Sequence, residues 1–67
     1  MKYIKWKGHL IIPATVIMPE DATYKEVCEE LAFLIDEASV DYIPVHWDDI
    51  EGVEEIEKNL DEDGNPL

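Results

Sequence analysis

The chain has 67 residues, and its seventeen acidic residues stand against five lysines and no arginine, which gives a net charge of −12. A domain of this length buries only about 60% of the surface that its unfolded chain exposes, so it usually needs a disulfide, a metal, self-association or very good packing. The composition excludes an intramolecular disulfide, because Cys28 is the only cysteine, and it disfavours a transition-metal site, because His9 and His46 lie far apart in the sequence.

The start of the chain and its apolar segments give no sign of export or membrane insertion. Residues 1–7 are too short and too basic for the apolar segment of a signal peptide, and no apolar run approaches the roughly 20 residues needed to cross a bilayer. We therefore expect a cytoplasmic protein without a membrane partner. The excess of acid repels itself in the compact state, and a partner of opposite charge would relieve that repulsion.

The first predicted element is a β-hairpin in residues 2–18, which are rich in β-branched and aromatic residues. Apolar and basic side chains alternate in its first half, as they do in a strand with one buried face. We predict two antiparallel strands, about 2–8 and 11–18, with one long bent strand as the alternative. Pro13 requires an edge, a bend or a position between strands, because it has no N–H to donate to a ladder.

A helix follows, and its start has the sequence of a capping box, with Thr23 as the N-cap and Glu26 reaching back from the third helical position. Apolar residues then recur at steps of three and four, which predicts one buried stripe: Tyr24, Val27, Cys28, Leu31, Leu34, Ile35 and Ala38. Phe33 lies about 180° from this stripe, among acidic residues. We expect its side chain to be exposed unless a second chain or a folded-back C-terminal segment covers it.

The last third of the chain has weaker signals. Residues 40–47 predict another strand, in which Pro44 favours an edge position. Beyond Asp48, an apolar residue recurs at every third position, which fits either a short helix interrupted by Gly52 or an irregular edge segment. Residues 61–67 have the acidic composition of a frayed terminus.

These elements predict one α+β domain over residues 1–60, in the order β-β-α-β, followed by an acidic C-terminal tail over 61–67. The amphipathic helix packs on one face of a small antiparallel sheet. Such a small sheet has open edges, so we expect a homodimer that forms through a strand edge or through Phe33.

Candidates for catalysis are few, and we predict that the chain is not an enzyme. His9 and the segment 46–49 are the only places for acid–base chemistry. Ser39 is the only serine, no glycine-rich loop is present, and Cys28 lies on the apolar stripe, where a thiol is unreactive. The acidic terminus lacks the ligand spacing of a calcium loop. We expect no cofactor and no metal site.

The acidic residues carry the functional prediction. Regular rows of carboxylates can imitate the phosphates of a nucleic-acid strand, although acids also serve simply to keep a small protein soluble. The residues predicted to bind a partner are Glu26, Glu30, Phe33, Glu37, Asp48, Asp49, Glu51, Glu54, Glu55 and Glu57.

This pattern favours a small, non-enzymatic inhibitor that occupies the basic groove of a nucleic-acid-binding protein or a host-defence enzyme. In size and charge alone, the chain is similar to small phage and mobile-element proteins that block such enzymes. Direct nucleic-acid binding is not expected, because the three lysines near the N-terminus cannot offset the field of the whole chain. The alternative is a homo-oligomeric assembly module that uses Phe33 and its edge strands, with the acids only solubilising it.

Overall fold

The computed structural model describes residues 1–38 and 45–67. It contains three strands, β1 (Tyr3–Leu10), β2 (Ile12–Pro19) and β3 (Glu51–Leu60), one helix, α1 (Tyr24–Ala38), and a 3₁₀ turn (Trp47–Asp49). The strands form one antiparallel sheet in the order β2-β1-β3, and α1 packs on one of its faces. The predicted fold class, a small α+β domain with β-β-α-β order, is confirmed.

The hairpin of β1 and β2 confirms the two-strand prediction and rules out the single bent strand. The two strands pair along their whole length, from Tyr3 opposite Pro19 to Leu10 opposite Ile12. Ile11 alone makes the connection, with a φ of 70°, a conformation that β-branched residues rarely adopt. Pro13 lies in β2, which is an edge strand in the described sheet, as its missing N–H requires.

The core lies between α1 and the face of the sheet to which the even-numbered residues of β1 point. Its buried residues are Val27, Leu31, Ala32, Ile35 and Ile50. Gly8 is buried at the centre of this face, where a Cβ atom would lie 2.9 Å from Leu31 Cδ1 and 2.9 Å from Ile50 Cγ2. A residue without a side chain is therefore needed for the helix to approach the sheet this closely.

The N-terminus of α1 is closed by the predicted capping box. The Thr23 hydroxyl accepts a hydrogen bond from the Glu26 N–H at 3.2 Å, and the Glu26 carboxylate accepts one from the Thr23 N–H at 3.1 Å. The centre of the predicted stripe is buried, whereas Tyr24, Leu34 and Ala38 remain exposed. The stripe is therefore narrower than the sequence indicates, because a three-stranded sheet covers only part of a helix.

The third strand of the described sheet, β3, lies beyond the segment 40–47 in which the sequence predicts a strand. Residues 40–44 of the predicted strand are outside the described residues, the next two are not in a strand, and Trp47 begins the 3₁₀ turn. β3 instead confirms the irregular edge segment, with three register shifts against β1 and positive φ angles at Gly52 and Asn59. Such bulges interrupt the period of two by which a strand is recognised in a sequence.

The C-terminal residues 61–67, which the sequence predicts to be frayed, form a closed turn in the structure. One carboxylate oxygen of Asp61 accepts hydrogen bonds from the N–H groups of Asp63 and Asn65, both at 2.9 Å. Leu60, only 1% exposed, pairs with Tyr3 and so lies on the sheet face opposite α1. The turn folds back along the end of β3, where Pro66 forms a β-bridge with Leu60.

Candidate functional site

The acidic residues of α1 form one exposed surface. We call it the acidic helix face, and it consists of Glu26, Glu29, Glu30, Asp36 and Glu37. At 100° per residue, these side chains surround Phe33, with Glu29 and Asp36 on one side of it and the other three on the opposite side. The 3₁₀ turn packs against α1, and the exposed Asp48 and Asp49 therefore lie beside the helix.

Most of this charge has no internal compensation. Lys25 is the only cation of α1, and its Nζ lies 3.9 Å from Glu29 Oε1. Within residues 1–38 and 45–67, no ion pair includes Glu30, Asp36 or Glu37. The last turn of α1 contains no basic residue, so Asp36 and Glu37 there oppose the negative end of the helix dipole.

The glutamates of β3, unlike most acids of α1, lie beside basic residues, because β1 is the neighbouring strand. The ladder places each basic residue of the outer face opposite a glutamate, in the pairs Lys5–Glu57, Lys7–Glu54 and His9–Glu51. Lys7 Nζ lies 2.8 Å from Glu54 Oε1, and Lys58 Nζ lies 3.1 Å from Glu55 Oε2. The ten residues predicted to bind a partner thus fall on two surfaces, of which only the helical one stays strongly negative.

Phe33 lies on the wall of a groove that sequence reasoning missed. The groove has a volume of about 320 Å³ and separates α1 from residues 45–47. Phe33 is 60% exposed, and Trp47, which also lines the groove, is 38% exposed. Ala32 and Val45 add apolar surface, while Glu29 and Asp36 supply the carboxylates.

Trp47 already contacts a cation of its own chain. Lys25 Nζ lies 5.4 Å from the centroid of the Trp47 ring, within the usual range of a cation–π interaction. The same ammonium group approaches Glu29. An aromatic ring and a carboxylate therefore hold one positive charge together at this border of the groove.

The remaining titratable groups give little sign of chemistry. The electrostatic interaction with the neighbouring Cys28, followed by desolvation, raises the pKa of the Tyr24 phenol. His9 is exposed and its Nε2 lies 3.7 Å from Glu51, whereas His46 lines the groove. Among the described residues there is no group of three or more metal-ligating side chains, and no helix long and apolar enough to cross a membrane.

A second hollow, of about 530 Å³, lies at the end of the sheet where β1 turns into β2. Its charged lining residues include Lys7 and Glu54, which already pair with each other. It therefore offers less free charge to a ligand than the groove beside α1.

In comparisons with known proteins, no family model, no curated protein and no solved structure matches this chain. The fold defines only a class, the small α+β domain with a three-stranded antiparallel sheet. One fold hosts many activities, so the function of this chain depends on the side chains of its site.

Proposed function

We propose that this chain is a non-enzymatic binding protein whose acidic helix face occupies a basic groove of a larger protein, of the kind that otherwise binds nucleic acid. The observation that carries this proposal is the uncompensated charge of Glu30, Asp36 and Glu37 on a helix that is fixed to the sheet by a buried core. Because the backbone that carries these charges is already fixed, binding has to order only their side chains.

The spacing of the carboxylates suits a groove that binds phosphates. From the rise of about 1.5 Å per residue, Glu26 and Glu30 are about 6 Å apart along the helix axis, and Glu30 and Glu37 about 10 Å apart. Phosphates follow one another at about 3.4 Å per strand, so these intervals correspond to two and three phosphate steps. Lysine and arginine side chains that pair with phosphates also pair with carboxylates.

The cost of the acidic residues to the helix supports the same proposal. Asp36 and Glu37 each destabilise the C-terminal turn by about 0.3–1 kcal/mol through the helix dipole. Residues that destabilise their own helix, with no contact inside the protein that offsets the loss, are expected at functional sites. A basic partner at this end of α1 would relieve both charges.

The test compares two double variants with equal net charge. Glu30→Gln with Glu37→Gln removes two uncompensated acids, and Glu51→Gln with Glu54→Gln removes two paired ones. Basic partners captured from the native cytosol are purified, and their affinity for the full chain is measured at low and high salt. We expect a loss of about tenfold for the helix variant and less than about twofold for the control, at low salt.

An oligonucleotide should compete for the same partner, since both ligands occupy one groove. Equal losses for the two double variants, or binding that does not weaken with salt, would refute the proposal. Retained binding in the presence of excess oligonucleotide would refute the nucleic-acid groove as the target.

A second candidate, homodimer formation through β2, is favoured by a separate observation. β2 carries no charged residue, so two strongly acidic chains repel each other least along this edge. The Glu20 N–H donates a hydrogen bond to the Lys2 carbonyl. By the same parity, the backbone N–H and C=O groups of the even-numbered residues of β2 point towards β1. The N–H groups of Thr15 and Ile17 then point to the open edge.

Two copies paired antiparallel about Val16 would satisfy these N–H groups, and Pro13 and Pro19 would end the pairing on both sides. We expect high salt to favour this dimer by screening repulsion. Thr15→Pro removes an edge donor without touching the ladder to β1 and should abolish the dimer, whereas Thr15→Val should keep it. Light scattering measures the mass, and a monomer at all salt concentrations would exclude this candidate.

A further inference from the structure

We propose that the groove between α1 and residues 45–47 binds a single arginine side chain of the partner, with the guanidinium between Phe33 and Trp47 and its charge shared by Glu29 and Asp36. This inference rests on the proposed function, because the basic surface of the partner supplies the arginine. It adds a defined anchor to a charge attraction that is otherwise diffuse.

The lining of the groove fits a guanidinium better than other groups. Both aromatic side chains expose ring surface, and a planar guanidinium stacks on such a surface while its apolar stem packs on Ala32 and Val45. The carboxylates on the lining are acceptors for its N–H groups. An aromatic anchor site with a polar rim is the usual form of a binding hot spot.

Lys25 shows that a cation is stable at this place. Its ammonium lies over Trp47 and beside Glu29, so one border of the groove already holds a positive charge from the chain itself. Asp36 lies seven residues further along α1, about 10 Å from Glu29 along the axis, and takes part in no ion pair of the described residues. The second carboxylate is therefore left for a cation from outside.

Charge also argues against a second copy of this chain as the occupant. The chain has no arginine, and its net charge is −12. Another copy would bring its own acids to the rim of the groove, and like charges at an interface are unfavourable. The occupant must come from a basic protein.

The binding test uses the full chain and N-acetyl-arginine amide, followed by the indole N–H signals in ¹⁵N NMR spectra. N-acetyl-citrulline amide is the neutral isostere, and N-acetyl-lysine amide distinguishes a guanidinium from an ammonium. Trp6 packs against the core and serves as the internal reference. We expect the arginine amide to shift the Trp47 signal in a saturable way, at least about threefold more than that of Trp6, and more than the lysine amide does.

The neutral citrulline amide should leave the Trp47 signal in place. Equal shifts with the arginine and citrulline amides, or equal shifts of the two indoles, would overturn the inference. A lysine amide that binds as tightly as the arginine amide would overturn the preference for arginine.

Variants locate the site. Asp36→Asn should weaken binding of the arginine amide about two- to fivefold, and Glu37→Gln, in the same turn on the other side of Phe33, should change it less than about twofold. Lys25→Gln should strengthen binding about twofold, because it frees Trp47 and Glu29. Equal weakening by the Asp36 and Glu37 variants would mean that the attraction is not localised and would refute the site.

Phe33 provides the link to the partner. Because Phe33 is exposed, Phe33→Ala should leave the spectrum of the folded chain intact while it weakens both the amide and the partner. If the amide binding is lost but partner affinity is unchanged, the arginine anchor is wrong and the acidic helix face stands. If the amide binds the groove but Glu30→Gln with Glu37→Gln has no effect on any basic partner, the proposed function is wrong and the site stands.

Discussion

Gly8 provides the sharpest test of the packing that positions the acidic helix face. A methyl group there would lie 2.9 Å from Leu31 and from Ile50, and 3.3 Å from Val53 Cγ2. Overpacking of this kind costs about 1–3 kcal/mol, and the loss of a strand glycine returns about 0.5–1 kcal/mol. Gly8→Ala should therefore destabilise the chain by about 0.5–2 kcal/mol, against a total of about 3–10 kcal/mol expected for its length.

Urea unfolding followed by tryptophan fluorescence measures this change. With a slope of about 1 kcal/mol per molar urea for a small domain, the midpoint should fall by about 0.5–2 M. Leu31→Val shortens the side chain that the new methyl group would meet. On its own, this substitution should lower the free energy of unfolding by about 1 kcal/mol. In the double variant, the methyl at position 8 occupies part of the space that the shorter side chain at position 31 leaves. The destabilisation of the double variant should therefore be about 0.5–1 kcal/mol smaller than the sum of the two single destabilisations.

Two results would refute the reasoning. The first is a Gly8→Ala variant as stable as the parent, which would mean that the helix does not approach the sheet as closely as the core contacts require. The second is strict additivity, within about 0.3 kcal/mol, of Gly8→Ala and Leu31→Val. Either outcome would also remove the rigid support on which the spacing of the helix carboxylates depends.

Two further predictions concern the ends of the elements. Thr23→Ala should cost about 1 kcal/mol in urea unfolding, because it removes the acceptor for the Glu26 N–H, and Thr23→Ser should restore most of it. An alanine variant as stable as the parent would contradict the cap. Asp61→Ala should speed amide exchange in residues 61–67, whereas Asp61→Asn, which keeps an acceptor, should change it less. Unchanged exchange in the alanine variant would show that the turn does not depend on this carboxylate.

The hairpin and the helix could be predicted from the sequence because local patterns determine them. The capping box joins residues three positions apart, and the hairpin pairs two strands that follow each other directly in the sequence. β3 could not be located in the same way. Its alternation is interrupted by bulges and by left-handed residues at Gly52 and Asn59, so its sequence has no strand period to detect.

The candidate site was predictable only in part, for the same reason. The exposure of Phe33 follows from the helical period alone. The approach of Trp47 to α1 depends on how residues 45–47 return to the helix, and no spacing in the sequence encodes it. The pairing of Lys7 with Glu54 likewise needs the register of two strands far apart in the chain.

The distribution of charge explains how so acidic a chain can both fold and remain free to bind. The sheet places the basic residues of β1 beside the glutamates of β3, which lowers the repulsion within the sheet. In the described part of the chain, Lys25 is the only basic residue that forms an ion pair with the acids of α1, which are exposed. Folding therefore compensates one set of carboxylates and leaves the other exposed on a rigid support. A partner that binds this chain gains most by meeting the helix, since the charge there has not been neutralised already.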